Sequence, residues 1–77
     1  MRVTLFAAAR ERAGTSVLDV ALPDGAKVET LLQAVIGQVP ALASLSLRVA
    51  VNQEFAAGTD VIPAGAEVAL IPPVAGG

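Results

Sequence analysis

The residues at the end of the sequence are the ones whose types and spacing could do chemistry. They read Pro72-Pro73-Val74-Ala75-Gly76-Gly77. A proline pair favours an extended, stiff conformation, which predicts a segment that leaves the folded body. Glycine has no Cβ, so the Gly77 carboxyl could enter a narrow tunnel and be attacked without side-chain crowding. The alternative is that these small residues are simply a frayed end.

A carboxylate is unreactive by itself, so a functional tail predicts a partner that activates Gly77, most simply by adenylation. The chain would then be a carrier or substrate, and the catalytic side chains would belong to the partner. The composition agrees with this interpretation, because the sequence contains no Cys and no His. It therefore lacks a thiolate nucleophile, the commonest general base and the preferred ligands of zinc, and we expect no metal site.

The composition also limits the class of protein. With 77 residues, 55% hydrophobic and 16% charged, the chain fits one small domain held together by packing. A net charge of −2 and only two Phe oppose nucleic-acid binding. The uncharged run 30–47 is broken by Gln38 and Pro40, and the N-terminal apolar run ends at Arg10. We expect no membrane association and a cytoplasmic location.

Hydrophobic periodicity predicts the elements that must position the tail. Alternation predicts strands at 2–6, 16–22, 47–52, 54–56 and 67–71, and an apolar stripe predicts a helix from Val28 that ends near residues 37–39. This helix lacks a good N-cap residue, since Ala26 or Lys27 stands in that place. Residues 7–15 read as a loop or a short helical turn, and residues 41–46 as a connector.

This order of elements predicts an α+β fold, a ubiquitin-like β-grasp with a mixed sheet of about five strands and one main helix across it. In a ubiquitin-like β-grasp the last strand lies parallel to the first at the sheet centre, and the apolar run 68–71 suits that burial. We expect a domain over residues 1–71 and an extended tail over residues 72–77.

Three motifs indicate a family. They are Phe6-Ala7-x-x-Arg10-Glu11-x-x-Gly14 after the first strand, Val51-Asn52 after the third, and the terminal Pro-Pro-Val-Ala-Gly-Gly. With them the whole chain resembles the MoaD/ThiS family of ubiquitin-like sulfur carriers. The proline pair favours the branch of molybdopterin synthase small subunits over the thiamin branch.

The resemblance implies that a ubiquitin-activating-enzyme-like adenylyltransferase, using ATP, adenylates Gly77. Sulfur from a sulfurtransferase then converts it to a thiocarboxylate, a C-terminal 1-thioglycine. The tail residues Pro72, Pro73, Val74, Ala75 and Gly76 would insert into the large subunit of a heterotetrameric molybdopterin synthase. There the sulfur passes to cyclic pyranopterin monophosphate. The chain itself would bind no cofactor and supply no catalytic side chain.

The resemblance also implies a partner interface at Phe6, Arg10 and Ile71. For Phe6 the alternative is a place in the sheet's core, and for Arg10 it is a solvated loop charge. Relatives often carry an aromatic residue where this chain has Ile71. Asn52 is expected to serve a tight turn with Gln53.

Two other hypotheses stay open. The chain could carry sulfur to another acceptor, such as thiamin thiazole, a tRNA or an amino-acid pathway, or be conjugated to proteins. It could also be a non-covalent interaction module whose tail is incidental.

Overall fold

The elements of the fold come from a computed structural model, which describes residues 1–72. In chain order they are strand β1 (Arg2–Leu5), helix α1 (Ala7–Ala13), strand β2 (Val17–Asp19), helix α2 (Val28–Gln38), a 3₁₀ helix (Pro40–Ser44) and strands β3 (Arg48–Val51), β4 (Glu54–Phe55) and β5 (Val68–Ile71).

The strands form one mixed sheet in the order β2-β1-β5-β3-β4. The central strands β1 and β5 run parallel, with Val3 beside Val68 and Leu5 beside Leu70. All the other pairs are antiparallel. The predicted ubiquitin-like β-grasp, with its last strand parallel to the first at the centre, is confirmed.

The core lies between the inner face of the sheet and α2. Alternate residues of the strands point into it, as the periodicity predicts, and α2 contributes Val28, Leu31 and Val35. The fully buried large side chains are Val3, Leu5, Val28, Leu31, Val35, Leu42, Ile62, Val68 and Leu70. Leu42 comes from the 3₁₀ helix, so the segment expected to be a mere connector adds to the core.

Helix α2 begins without a side-chain cap at Lys27, as predicted. Its first amides are satisfied from a distant loop: Val28 N–H donates to Asp60 O and Glu29 N–H donates to Gly58 O, both at 2.9 Å. The loop is itself closed by Ala57 N–H, which donates to Asp60 Oδ2 at 2.8 Å. Backbone carbonyls of residues 58–60 therefore do what a Ser or Asp cap would otherwise do.

Residues 7–15 were predicted to be a loop or a short helical turn, and the structure has the helix α1 there. The chain turns at Ala7, which has a φ of 49°, and the helix ends at Gly14, whose φ of 73° suits a residue without a Cβ. Ala9 is buried against the core. Arg12 ties α1 to the 3₁₀ helix, because its guanidinium donates to Ser44 Oγ.

All five strands are shorter than the alternation predicts, and β2 differs most. β2 ends at Asp19, although the chain continues beside β1 and Val20 N–H donates to Met1 O at 2.7 Å.

The predicted turn at Asn52 and Gln53 is confirmed, with φ values of 51° and 69°. Asn52 Oδ1 also accepts from Glu67 N–H at 3.0 Å, which joins the turn to the chain just before β5.

Candidate functional site

The site is built at the carboxyl ends of β1 and β5, which meet at one edge of the sheet because the two strands are parallel. β5 ends at Ile71, and Pro72 after it is buried. The described residues end at this point, which we call the tail root (residues 71 and 72). Pro73, Val74, Ala75, Gly76 and Gly77 lie outside the described residues, so their predicted roles stay predictions.

Phe6 stands beside the tail root. Its amide donates to Leu70 O at 3.3 Å, which places the end of β1 against β5. The ring points to the outer face and is 48% exposed, so Phe6 does not fill the core. The turn at Ala7 directs the chain into α1 and leaves the ring on the surface. The structure thus selects the exposed position of the two that the sequence allows.

The outer face of the sheet carries an apolar hollow of about 270 Å³. Its shape follows from residue size, since Ala50 and Ala69 pair across β3 and β5 and leave space that larger side chains surround. The residues that line it are Phe6, Ala50, Gln53, Phe55, Glu67, Ala69 and Ile71. Phe6 and Ile71 are therefore brought together on one surface, which we call the outer hollow.

Arg10 is placed differently. It lies on α1, fully on the surface, and does not line the outer hollow. Its backbone is one helical turn from the ring, because Arg10 N–H donates to Phe6 O at 3.4 Å. Its role as a partner contact stays a prediction.

Phe55 and Arg48 belong to this surface too, and the sequence analysis missed both. The Arg48 guanidinium carbon lies 4.0 Å from the centroid of the Phe55 ring, and the ring is 56% exposed. The sequence contained a signal for the position of Phe55, in the predicted turn that precedes it. A two-residue turn at 52–53 sets Phe55 opposite Ala50, on the face that alternation assigns to Arg48.

Among residues 1–72 the site consists of apolar side chains and solvent-exposed polar ones. Every charged side chain among residues 1–72 is exposed, and no polar or charged side chain there is buried. The ion pair found in this range joins Arg2 to Asp19 at 3.6 Å, away from the tail root. Over the same range no cluster of acidic side chains could hold a metal ion, and no helix is long and apolar enough to cross a membrane.

Comparison with known proteins decides the family. The model of the ThiS family matches residues 3–77, nearly the whole chain. The chain belongs to the ThiS family. This family is the one that the Phe-Ala-x-x-Arg-Glu-x-x-Gly segment and the terminal Gly-Gly predict.

Two relatives match the chain along its full length. The molybdopterin synthase sulfur carrier subunit of Chlamydomonas reinhardtii is 41% identical over 81 residues, which cover 100% of this chain and 98% of the relative. The protein of the same name from Arabidopsis thaliana is 32% identical over 79 residues, which cover 100% of this chain and 82% of the relative.

A solved structure shows the same fold. Small archaeal modifier protein 1 of Haloferax volcanii superposes with a TM-score of 0.85 at 37% identity, covering 100% of this chain and 98% of that one. This ThiS-family chain is thus a ubiquitin-like domain homologous to named sulfur carrier subunits.

Proposed function

We propose that this protein is the sulfur-carrying small subunit of molybdopterin synthase and that its reactive group is the Gly77 carboxyl. The observation that carries the proposal is the 41% identity to such a subunit over the full length of the chain. The sequence supports it, because the chain ends in the proline-stemmed Gly-Gly that this chemistry needs.

The chemistry has three steps. The Gly77 carboxylate attacks the α-phosphate of ATP in the adenylyltransferase, which forms an acyl-adenylate and releases pyrophosphate. Sulfur at the oxidation level of sulfide, supplied through a sulfurtransferase, attacks the acyl carbon; a C–S bond forms, AMP leaves with the oxygen it was bound through, and a thiocarboxylate results. The large synthase subunit then transfers that sulfur to cyclic pyranopterin monophosphate. A thioacid is ionised at neutral pH, so the carrier needs no basic side chain beside it, and a chain without His or Cys can serve.

The outer hollow and the tail root supply the docking surface in this proposal. Phe6 and Ile71 lie at the end of β5, the strand that precedes the tail in the sequence, so a partner that covers them would be placed to receive the tail. Exposed aromatic side chains around a small concavity are typical anchors of protein interfaces. Arg10, one turn away on α1, would contact the same partner at its rim.

The second candidate function is a carrier with another acceptor, including conjugation to proteins. The observation that favours it is the likeness to small archaeal modifier protein 1, which is 37% identical and covers the whole chain. The activation step is the same in both functions, and the acceptor is chosen by the partner.

Intact-mass measurement tests the first step. After incubation with ATP, a cognate adenylyltransferase and a sulfur donor, the mass should rise by about 16 Da, as oxygen is replaced by sulfur. The charged protein, mixed with the large subunit and cyclic pyranopterin monophosphate, should then form molybdopterin. A normal yield from a chain that lacks Gly77 would contradict the proposal. A mass gain without molybdopterin would favour the second candidate.

A matched pair of glycine variants separates effects on sulfur transfer from effects on folding. Gly77→Ala should fold normally and lose sulfur transfer, because a methyl group is added beside the reacting carboxyl. Gly37→Ala is the control: Gly37 lies in α2 with open space around its Cα, so this variant should keep full transfer and gain about 0.5–1 kcal/mol in stability. The readouts are the yield of thiocarboxylate and the urea midpoint.

A further inference from the structure

A second hollow lies at the free edge of β4, away from the tail root. It has a volume of about 290 Å³ and separates β4 from the segment 60–63. Glu54 and Phe55 line one wall, and Asp60, Val61 and Pro63 line the other. We call this hollow the edge slot.

The backbone of the first wall has free hydrogen-bonding groups. Ala56 N–H donates to Val49 O at 2.9 Å, which marks these two residues as a hydrogen-bonded pair of the β3–β4 ladder. Such pairs alternate with non-hydrogen-bonded pairs in antiparallel strands. The neighbouring pair of Ala50 and Phe55 is therefore non-hydrogen-bonded, so the N–H and C=O of Phe55 point outward from the sheet edge.

The backbone of the second wall has the same property. Val61 forms an isolated antiparallel bridge with Lys27. The hydrogen bonds flank this pair instead of joining it: Val28 N–H donates to Asp60 O and Ile62 N–H donates to Ala26 O. By the same alternation the N–H and C=O of Val61 point away from Lys27. Among the described residues, the backbone groups of Phe55 and Val61 that point outward thus have no hydrogen-bond partner on either wall.

The side chains of the edge slot define what it would accept. Phe55 and Val61 are each 56% exposed, the most exposed large apolar side chains among residues 1–72. The carboxylates of Glu54 and Asp60 stand at the rim. The nearby cations, Lys27 and Arg48, do not line the slot. A ligand that is extended, apolar at alternate positions and positively charged between them would complement this surface.

We propose that the edge slot binds a short extended segment of a partner protein, with alternating apolar and basic residues, by adding it as a strand between β4 and residues 60–62. Main-chain hydrogen bonds to Phe55 and Val61 would hold the segment, and its Lys or Arg residues would meet Glu54 and Asp60.

The edge slot and the tail root lie toward opposite ends of the sheet. Val51, at the slot end of β3, pairs with Val68 at the start of β5, whereas the tail leaves after Ile71 at the end of β5. A segment bound in the slot would therefore lie toward the opposite end of the sheet from the tail root, with Phe55 shared between the slot and the outer hollow. This proposal does not depend on the acceptor of the sulfur or on the chemistry of Gly77.

NMR titration of the ¹⁵N-labelled full chain tests the proposal. The probe is a short acetylated and amidated peptide of alternating lysine and valine. We expect saturable shifts of the amides of Phe55 and Val61 and of their immediate neighbours. The same peptide with N-methylated valines cannot donate from those amides, and its affinity should fall by about tenfold. Absence of binding, equal binding of the N-methylated peptide, or shifts confined to Phe6, Ala69 and Ile71 of the outer hollow would overturn the proposal.

Charge is tested with a matched pair of variants. Glu54→Gln should weaken binding of the lysine–valine peptide about threefold, as expected for loss of an exposed ion pair. Glu11→Gln, an exposed carboxylate on α1, should leave it unchanged. Equal affinity of a glutamate–valine peptide would show that the rim carboxylates do not select the ligand. Deletion of Gly76 and Gly77 should not affect peptide binding, so this test and the test of sulfur transfer can fail independently.

Discussion

The two faces of the central strands differ in residue size and therefore in role. On the inner face of β5, Val68 and Leu70 are buried among the side chains of α2, whereas Ala69 and Ile71 of the same strand face outward. The inner face is filled, and the outer face keeps a hollow because Ala50 and Ala69 are small. Alternate residues of one strand thus face the core and the proposed docking surface, so mutations should separate stability from binding.

The largest effect should come from the inner face. Leu70→Ala removes a fully buried side chain from the centre of the core and should cost about 2–5 kcal/mol of unfolding free energy. The adjacent Ile71→Ala is the matched control on the outer face, and it should cost about 1 kcal/mol or less. Urea denaturation measures both. Similar losses for the two variants would contradict the division between the faces.

Filling the outer hollow should affect binding and leave the fold intact. Ala69→Leu places a larger side chain in the hollow between Phe6 and Phe55, so a partner side chain could no longer enter it. The affinity for the large synthase subunit, measured by calorimetry, should fall at least about tenfold. The unfolding free energy should change by about 0.5 kcal/mol or less.

The control for this variant is Ala21→Leu, which makes the same change at an exposed position outside the hollow. It should keep the affinity of the natural chain. If Ala69→Leu and Ala21→Leu bind equally well, the outer hollow is not the docking surface.

The smallest effect should come from the arginine that covers Phe55. Arg48→Met keeps an unbranched side chain over the ring but removes the cation, so about 0.5–1 kcal/mol of cation–π attraction is lost. The urea midpoint should fall slightly, and Phe55→Leu should produce the same loss without adding to that of Arg48→Met. Additive losses in this double-mutant cycle would show that the two side chains act independently.

Much of the fold is determined by local patterns. The alternation of Val3 and Leu5, and the helical spacing of Leu31 and Val35, depend only on the geometry of a strand and a helix. The β-grasp predicted the central, parallel position of the last strand, and the apolar run after residue 67 suits burial there. The composition likewise favoured a reactive group in the tail, since the sequence has no Cys or His to compete with it, and this stays a prediction.

Other features could not be predicted, because they depend on contacts between residues far apart in the sequence. The residue types before α2 show that no side chain caps the helix. Only the fold brings the carbonyls of Gly58 and Asp60 to its first amides. The length of β2 likewise depends on where β1 stops pairing with it.

The sequence by itself determined the β-grasp topology, the family and the candidate reactive terminus, because periodicity and residue chemistry are properties of short segments. Only the tertiary structure decided that Phe6 lies outside the core, that it shares a hollow with Ile71 and Phe55, and that an open slot remains beside β4. The physical reason is register. A shift of one residue in strand pairing would exchange the two faces, and that register is set by turns and packing over the whole sheet.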